Sequence, residues 1–369
     1  MRIAVIKETT GGERRVALVP DIVQKLVKGG LEIRVQATAG TSAGFTDAQF
    51  VAAGARVFAS VSETLAEAAI TLKVQRPTEA EVGMLPEGST LVCFLQPAQQ
   101  APLLSRLAAR KVNALAMEYV PRTTRAQSVD ALSSQATVEG YKAVLVGASL
   151  SPRLLPMLTT AAGTLTPGKT LVIGVGVAGL QALATARRLG SVTYGFDVRP
   201  AVKEQVQSLG AKFVELEGVG KEAESSGGYA KELAEDQRRR VLEAVGKAVL
   251  EMDLVISTAQ IPGRPAPKLI TAQMVERMKP GAVIVDCAAA SGGNCELTQP
   301  GSTMIAHDVI IDGPLNLAST VPQHASQMYA KNLQNLLALL IKEAQFKLDL
   351  ADDIIAGMLV TLDGEVRPR

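Results

Sequence analysis

The run LVIGVGVAGLQALATARRLGSVTYGFDVR, residues 171–199, constrains the fold of this chain more than any other. An apolar strand ends at Gly174-x-Gly176-x-x-Gly179 and a helical pattern opens at once. A second strand then ends on Asp197, eighteen residues past the last glycine. The first glycine permits a tight turn and the second lets a pyrophosphate approach the backbone. The third lets helix and strand pack closely, and the helix N-terminus stabilises the anion. Asp197 can accept both hydroxyls of a ribose and repels a 2′-phosphate, so we expect NAD(H) rather than NADP(H). Arg199 argues the other way, but it reads as a surface arginine at a helix start, where Pro200 suits the first turn.

Around this turn the chain alternates short β-branched runs with amphipathic stretches. RIAVI, LEIRVQ, ARVFA, AITLKV, STLVCFL and VNALAME read as strands, with helices such as DIVQKLVKGG and APLLSRLAARK between them. A second series runs through KTLVIGV, SVTYGFD, KFVEL, DLVIST, AVIVDCA and VIIDGP. Such alternation implies parallel sheets covered by helices. With 369 residues, 47% hydrophobic and 3% aromatic, the chain can build two aliphatic cores. We therefore expect an α/β protein of two Rossmann-like domains with parallel sheets, joined by long helices around an interdomain cleft. The run SSQATVEGYKAVLVGASL, with Val138, Tyr141, Leu145 and Ala148 on one helical face, bridges the domains. The apolar-striped run ASQMYAKNLQNLLALLIKEAQFKL returns to the first. Residues 1–133 with about 320–369 then form one discontinuous domain, and 134–319 the NAD-binding one.

A formal charge of +2, with acids and bases interspersed, suits neither nucleic acid nor a strongly anionic membrane. MRIAVIKETTGGERR turns polar too early for a signal peptide, and no apolar run approaches the roughly 18 to 20 residues of a membrane span. We expect a cytoplasmic protein with no direct membrane insertion. Cys93, Cys287 and Cys295 read as reduced thiols, and no second pair or nearby histidine completes a metal site. His307 and His324 read as structural or surface residues. A dehydrogenase that reduces a carbonyl or imine needs a proton donor beside the hydride acceptor, and this chain has little to offer.

Two polar stretches stand apart. PRTTRAQSVDALSSQ, residues 121–135, packs arginines, glutamines, an aspartate and hydroxyls between two apolar runs, as a solvated linker or as a binding surface. EGVGKEAESSGGYAKELAEDQRRR, residues 217–240, reads either as a charged surface excursion or, with Gly227 and Gly228 beside Tyr229, as a hinged lid.

KETTGGERRVALVP, LKVQRP, the fingerprint and VDCAAASGGN together resemble the alanine dehydrogenase and proton-translocating transhydrogenase superfamily over essentially the whole chain. In alanine dehydrogenases an arginine, a lysine, a histidine and an aspartate serve the substrate. Arg15 and Lys73 match the first two, but Gln96 and Ala290 stand at the other positions. A glutamine cannot donate and recover a proton at physiological pH, and an alanine cannot do so at all. RAQSVD, LSSQ and SSGGYAKE instead resemble the transhydrogenase branch, in its NAD(H)-binding component. That resemblance implies Arg122, Gln127, Asp130 and Ser133 around the nicotinamide as catalytic residues. It implies Gly174, Gly176, Val177, Ala178, Gly179, Asp197, Val198, Arg199 and Ala259 as cofactor-binding positions, and a lid carrying Gly228 and Tyr229. It also implies an NADP(H)-binding component and a membrane-spanning subunit as partners, a homodimer, and a place at the inner face of the cell membrane reached through those partners. Direct hydride transfer between two nicotinamides needs orientation and close approach, with no protein acid or base at the reacting carbons. Two alternatives stay open: an amino- or keto-acid dehydrogenase with rewired catalysis, and a non-catalytic NAD-sensing module that signals through the lid.

Overall fold

The computed structural model describes residues 1–216, 235–261, 263–342 and 345–367. The chain divides into two compact units, Met1–Gln135 with Ala318–Arg369, and Ala136–Leu317.

The first unit begins with β1 (Arg2–Val5), β2 (Glu32–Gln36), β3 (Arg56–Phe58), β4 (Ile70–Leu72), β5 (Thr90–Cys93) and β6 (Asn113–Ala116). These pair in parallel in the order β3-β2-β1-β4-β5-β6, so the winding reverses between β1 and β4. Ile3 and Val5 enter one core and Ala4 and Ile6 another, because successive side chains of a strand point to opposite faces. Helix Pro20–Lys28 starts on a proline, whose missing N–H has no helical partner at that position, and buries Ile22, Val23 and Leu26.

The helix Ala131–Leu150 leads out of the first unit. An antiparallel pair follows, β7 (Leu158–Thr160) with β8 (Gly163–Leu165). The second sheet contains β9 (Lys169–Ile173), β10 (Val192–Phe196), β11 (Lys212–Phe213), β12 (Leu254–Ser257), β13 (Val283–Asp286), β14 (Thr303–Ala306) and β15 (Val309–Asp312). Its order, β11-β10-β9-β12-β13-β15-β14, reverses between β9 and β12. The C-terminal strands are β16 (Ile341–Lys342), β17 (Gln345–Phe346), β18 (Leu359–Leu362) and β19 (Glu365–Val366), of which β18 and β19 extend the first sheet beyond β6.

Three features differ from the sequence reading. The sheets are mixed: β14 runs antiparallel to β15, and β18 and β19 antiparallel to their neighbours. His307–Asp308 and Asp363–Gly364, all with positive φ, make two-residue turns, and such turns join only antiparallel strands. The helix Pro322–Leu340 stops short of the apolar stripe that predicted it, and Ile341, Phe346 and Leu348 reach the same core from the β16–β17 pair and beyond. The bridging helix buries Gly140, Ala143, Val144 and Gly147, whereas Tyr141 is 42% exposed. A Cβ at Gly140 would overlap the Ala178 carbonyl, and one at Gly147 the Leu254 side chain. The buried face is therefore the one where missing side chains let backbones approach, and a hydrophobic pattern does not register missing side chains.

The helix Glu235–Val249, unread in the sequence, buries Val241, Val245 and Val249 at four-residue spacing. Among the described residues no helix is long and apolar enough to cross a membrane.

Candidate functional site

In the second unit the glycine turn follows β9, where the winding reverses. Gly174 has φ +83°, and a Cβ there would stand 2.7 Å from Ala259 N. A Cβ at Gly179 would overlap the Gly174 carbonyl, so this position sets how closely helix and strand pack. Around Gly176 a Cβ would meet nothing within 4 Å, which leaves the space an approaching phosphate requires. Gly176 is also the N-cap of helix Val177–Arg188 and contributes no side-chain bond, so the first-turn N–H groups receive no side-chain cap. Val177 is exposed and Ala178 half-buried at that helix start. Open space and uncapped donors fit the pyrophosphate of a dinucleotide.

Asp197 ends β10 and is 6% exposed. Its Oδ2 accepts from Val175 N and Arg199 Nη2, both at 2.8 Å, and its Oδ1 from Arg199 N and Nε, both at 2.9 Å. Arg199 is thus no surface arginine: its guanidinium folds back on the acid two residues earlier and tempers the repulsion that Asp197 alone would exert on a 2′-phosphate. Val198 between them is half-buried. Nothing in the sequence separates an arginine that folds back in this way from one that points to solvent.

In the first unit, Arg122, Gln127, Asp130 and Ser133 line one cavity of about 430 Å³ with Pro121, Thr123 and Thr124. Arg122 and Gln127 are exposed, while Ala126 and Val129 anchor the stretch in the core. Arg125 forks onto Asp352 at 2.9 and 2.7 Å and also reaches Asp353; its hydrogen bonds hold the Asp352 carboxyl at about 2. The amides of Asn332 and Asn335 donate to the Ser128 carbonyl at 3.0 and 2.9 Å. Asp130 precedes the helix Ala131–Leu150 and accepts from Ser133 N at 2.9 Å and Ser133 Oγ at 2.6 Å. That pair therefore caps the helix whatever else it does.

Arg15 and Lys73 have internal partners. Glu13 accepts from Arg15 Nε at 2.8 Å and Nη2 at 2.6 Å, Gln135 from Arg15 Nη1 at 2.8 Å, and Gln75 donates to Glu13 at 2.9 Å. Lys73, 1% exposed, lies 3.4 Å from Glu8 and 3.3 Å from Glu81. Burial pushes Glu8 up to about 7 against the pull of Lys73. Burial would raise Glu13 too, but the Arg15 hydrogen bonds and charge, with Gln75, bring it down to about 2. Gln96 sits in the left-handed region at φ +54°, its amide oxygen accepting from Arg76 at 2.5 Å. Ala290 lies in the short turn Ala289–Ser291. His307 and His324 are exposed. Burial raises the pKa of all three thiols, and among the described residues no cluster could hold a metal ion. Gly227, Gly228 and Tyr229 lie outside the described residues.

Residues 4–139 match the family Alanine dehydrogenase/PNT, N-terminal domain, and residues 143–369 its C-terminal domain. The first part of the NAD(P) transhydrogenase subunit alpha of Rhodospirillum rubrum, a separate chain there, is 46% identical over 374 aligned positions, covering 99% of this chain and 97% of that protein. A solved transhydrogenase from Sinorhizobium meliloti superposes with a TM-score of 0.87 at 38% identity, covering 99% of this chain and 98% of that one. An L-alanine dehydrogenase structure superposes with a TM-score of 0.84 at 27% identity, covering 99% and 96%.

Proposed function

The chain belongs to the alanine dehydrogenase/PNT family, whose members use NAD(H) or NADP(H), and from that premise we propose that it is the NAD(H)-binding subunit of a proton-translocating NAD(P) transhydrogenase. NADH bound here supplies the hydride, and NADP⁺ held on a partner component accepts it. Gly174, Gly176 and Gly179 with the helix start at Val177 and Ala178 receive the pyrophosphate, flanked by Ala259. Asp197, with Val198 and Arg199, receives the adenosine ribose. Arg122, Gln127, Asp130 and Ser133 fix which face of the nicotinamide is presented, and Gly228 and Tyr229 close over the nucleotide. The complex would add a membrane-spanning subunit, hold this chain as a homodimer, and place it at the inner face of the cell membrane.

The observation that carries this reading is the cavity lined by Pro121, Arg122, Thr123, Thr124, Gln127, Asp130 and Ser133. Its side chains offer donors and acceptors suited to a carboxamide and a ribose, and no histidine. A carbonyl reduction would need a proton donor at the positions of Gln96 and Ala290. Gln96 is instead engaged with Arg76, and Ala290 has no proton to give. Equilibrium dialysis against NADH and NADPH, with a pyruvate reduction assay using NADH and ammonium, tests this. We expect tighter NADH binding and no appreciable pyruvate turnover. Equal affinity for the two nucleotides would remove the role given to Asp197, and turnover of about 1 to 1000 per second would favour the alanine dehydrogenase reading.

A further inference from the structure

Asn294 lies in the loop after β13 and is 0% exposed. Its Oδ1 accepts from Ala259 N at 3.1 Å, and its Nδ2 donates to the carbonyls of Ala259 at 2.8 Å and Pro267 at 2.9 Å. One primary amide therefore satisfies one backbone donor and two backbone acceptors. Turning it over would set its oxygen against two carbonyls, so its partners fix its orientation. A carboxylate has no donor for the carbonyls, and an aliphatic side chain would leave three buried backbone groups without partners.

What Asn294 grips and what grips Asn294 are both defined. Behind it, the Asp286 carboxylate accepts from Ser257 Oγ at 2.9 Å, Ala288 N at 3.1 Å, Cys295 N at 3.0 Å and Thr298 Oγ1 at 2.7 Å. Gly293, at φ +79°, turns the chain where a Cβ would stand 2.7 Å from Asp286 Oδ2. The Asn294 carbonyl accepts from Leu269 N at 2.8 Å and Ile270 N at 3.0 Å. In front, Ala259 N and Cα lie 2.7 and 2.8 Å from the point where a Gly174 Cβ would be, and Thr258 Oγ1 donates to the Gly174 carbonyl at 2.5 Å. Residues 258–260 follow β12 without regular structure, yet they wall the glycine turn.

We infer that Asn294 is a positioning residue for the nucleotide. By holding both backbone groups of Ala259, it keeps the wall of the Gly174 turn in its binding shape before a pyrophosphate arrives. The inference rests on the NAD(H) reading above.

Calorimetric titrations of the wild type, Asn294→Ala and Asn294→Asp with NADH and with ADP-ribose test it, beside an NMR titration with adenosine, which has no pyrophosphate. We expect both variants to bind NADH and ADP-ribose about tenfold more weakly and adenosine within about twofold of the wild type. In the reconstituted complex at saturating NADH, the variants' hydride transfer should stay within about twofold. Unchanged NADH affinity in a folded variant overturns the inference, as does an equal loss of adenosine affinity, which would mean general distortion of the unit. If both variants fail to fold, amide exchange in the wild type decides. The Ala259 N–H should already be protected without nucleotide; fast exchange that only NADH slows would contradict preorganisation. A wild type that binds neither NADH nor ADP-ribose defeats the NAD(H) reading itself.

Discussion

The two sheets share a winding order, and each reverses at one place: between β1 and β4 in the first unit and between β9 and β12 in the second. In open α/β sheets this reversal leaves a crevice beyond the strand ends where ligands bind. The two reversals are furnished in opposite ways. Beyond β9 stand Gly174, Gly176 and Gly179, with room at Gly176 and uncapped donors at a helix start. Beyond β1 and β4 stand Glu8 and Lys73, both buried, with Glu81 as a further partner of the lysine. Topology offers the site twice. Glycines leave one open to an anion, while long charged side chains that pair with one another occupy the other, so winding order alone does not locate a function.

The sharpest way to break this comparison is to empty the filled reversal. Lys73→Ala leaves Glu8 and Glu81 buried without their cation and should cost about 3 to 5 kcal/mol in urea unfolding. A loss below about 1 kcal/mol would mean that the cluster is not a paired core. Next comes pH. Glu8 is raised from 4.5 to about 7, so the folded state binds its proton more tightly than the unfolded chain does. Its contribution to stability is therefore full below the unfolded value of 4.5 and lost as pH rises through about 7. Glu13, lowered to about 2, works in the opposite sense, with stability lost as pH falls below 4.5, so it leaves that window undisturbed. Relative to Glu8→Gln, wild-type unfolding free energy should decline by about 3 kcal/mol between these pH values. A flat difference would show Glu8 ionised throughout.

At the open reversal, Gly179→Ala places a Cβ on the Gly174 carbonyl and should displace the turn. Overpacking of this kind costs roughly 1 to 3 kcal/mol, and we expect NADH affinity to fall by about 10- to 100-fold, read by calorimetry. Unaltered affinity would show that the turn does not depend on close helix packing. The smallest effect belongs to the polar stretch of the first unit. Asp130→Ala removes the cap on helix Ala131–Leu150 and should lower stability by about 1 kcal/mol, whereas Asp130→Asn should keep most of it. A thermal melt distinguishes the two.

How legible these regions were in the sequence follows from the same contrast. The glycine turn and the strands were legible because backbone requirements and burial leave fixed spacings. The antiparallel edges were only partly legible, since Asp363–Gly364 is a standard hairpin dipeptide, but the alternation of strand and helix suggested parallel pairing throughout. Glu8, Lys73 and Arg199 were not legible, because a charge pattern does not say which charges face inward and pair. Gly140 and Gly147 escaped for the complementary reason: their contribution is the side chain they lack. Asn294 carries no spacing signal, since its partners Ala259 and Pro267 precede it by a loop and a strand. For residues 121–135, polarity alone fits a linker as well as a site, and resemblance to relatives supplied the functional meaning.

The central claim is a division of labour in which the turn at Gly174 to Gly179 with Asp197 supplies nucleotide affinity, and the stretch at Arg122 to Ser133 aims the nicotinamide. Gln127→Asn tests it most directly, because it keeps the amide and withdraws it by one methylene. The measurement pairs NADH affinity of the isolated subunit with hydride transfer from NADH to an NADP⁺ analogue in the reconstituted complex. A displacement of about 1 Å can cost on the order of 100-fold in rate. The account predicts a loss of that order in transfer, with NADH affinity within about twofold of the wild type. Full transfer, or a loss of affinity in proportion to the loss of rate, would contradict it.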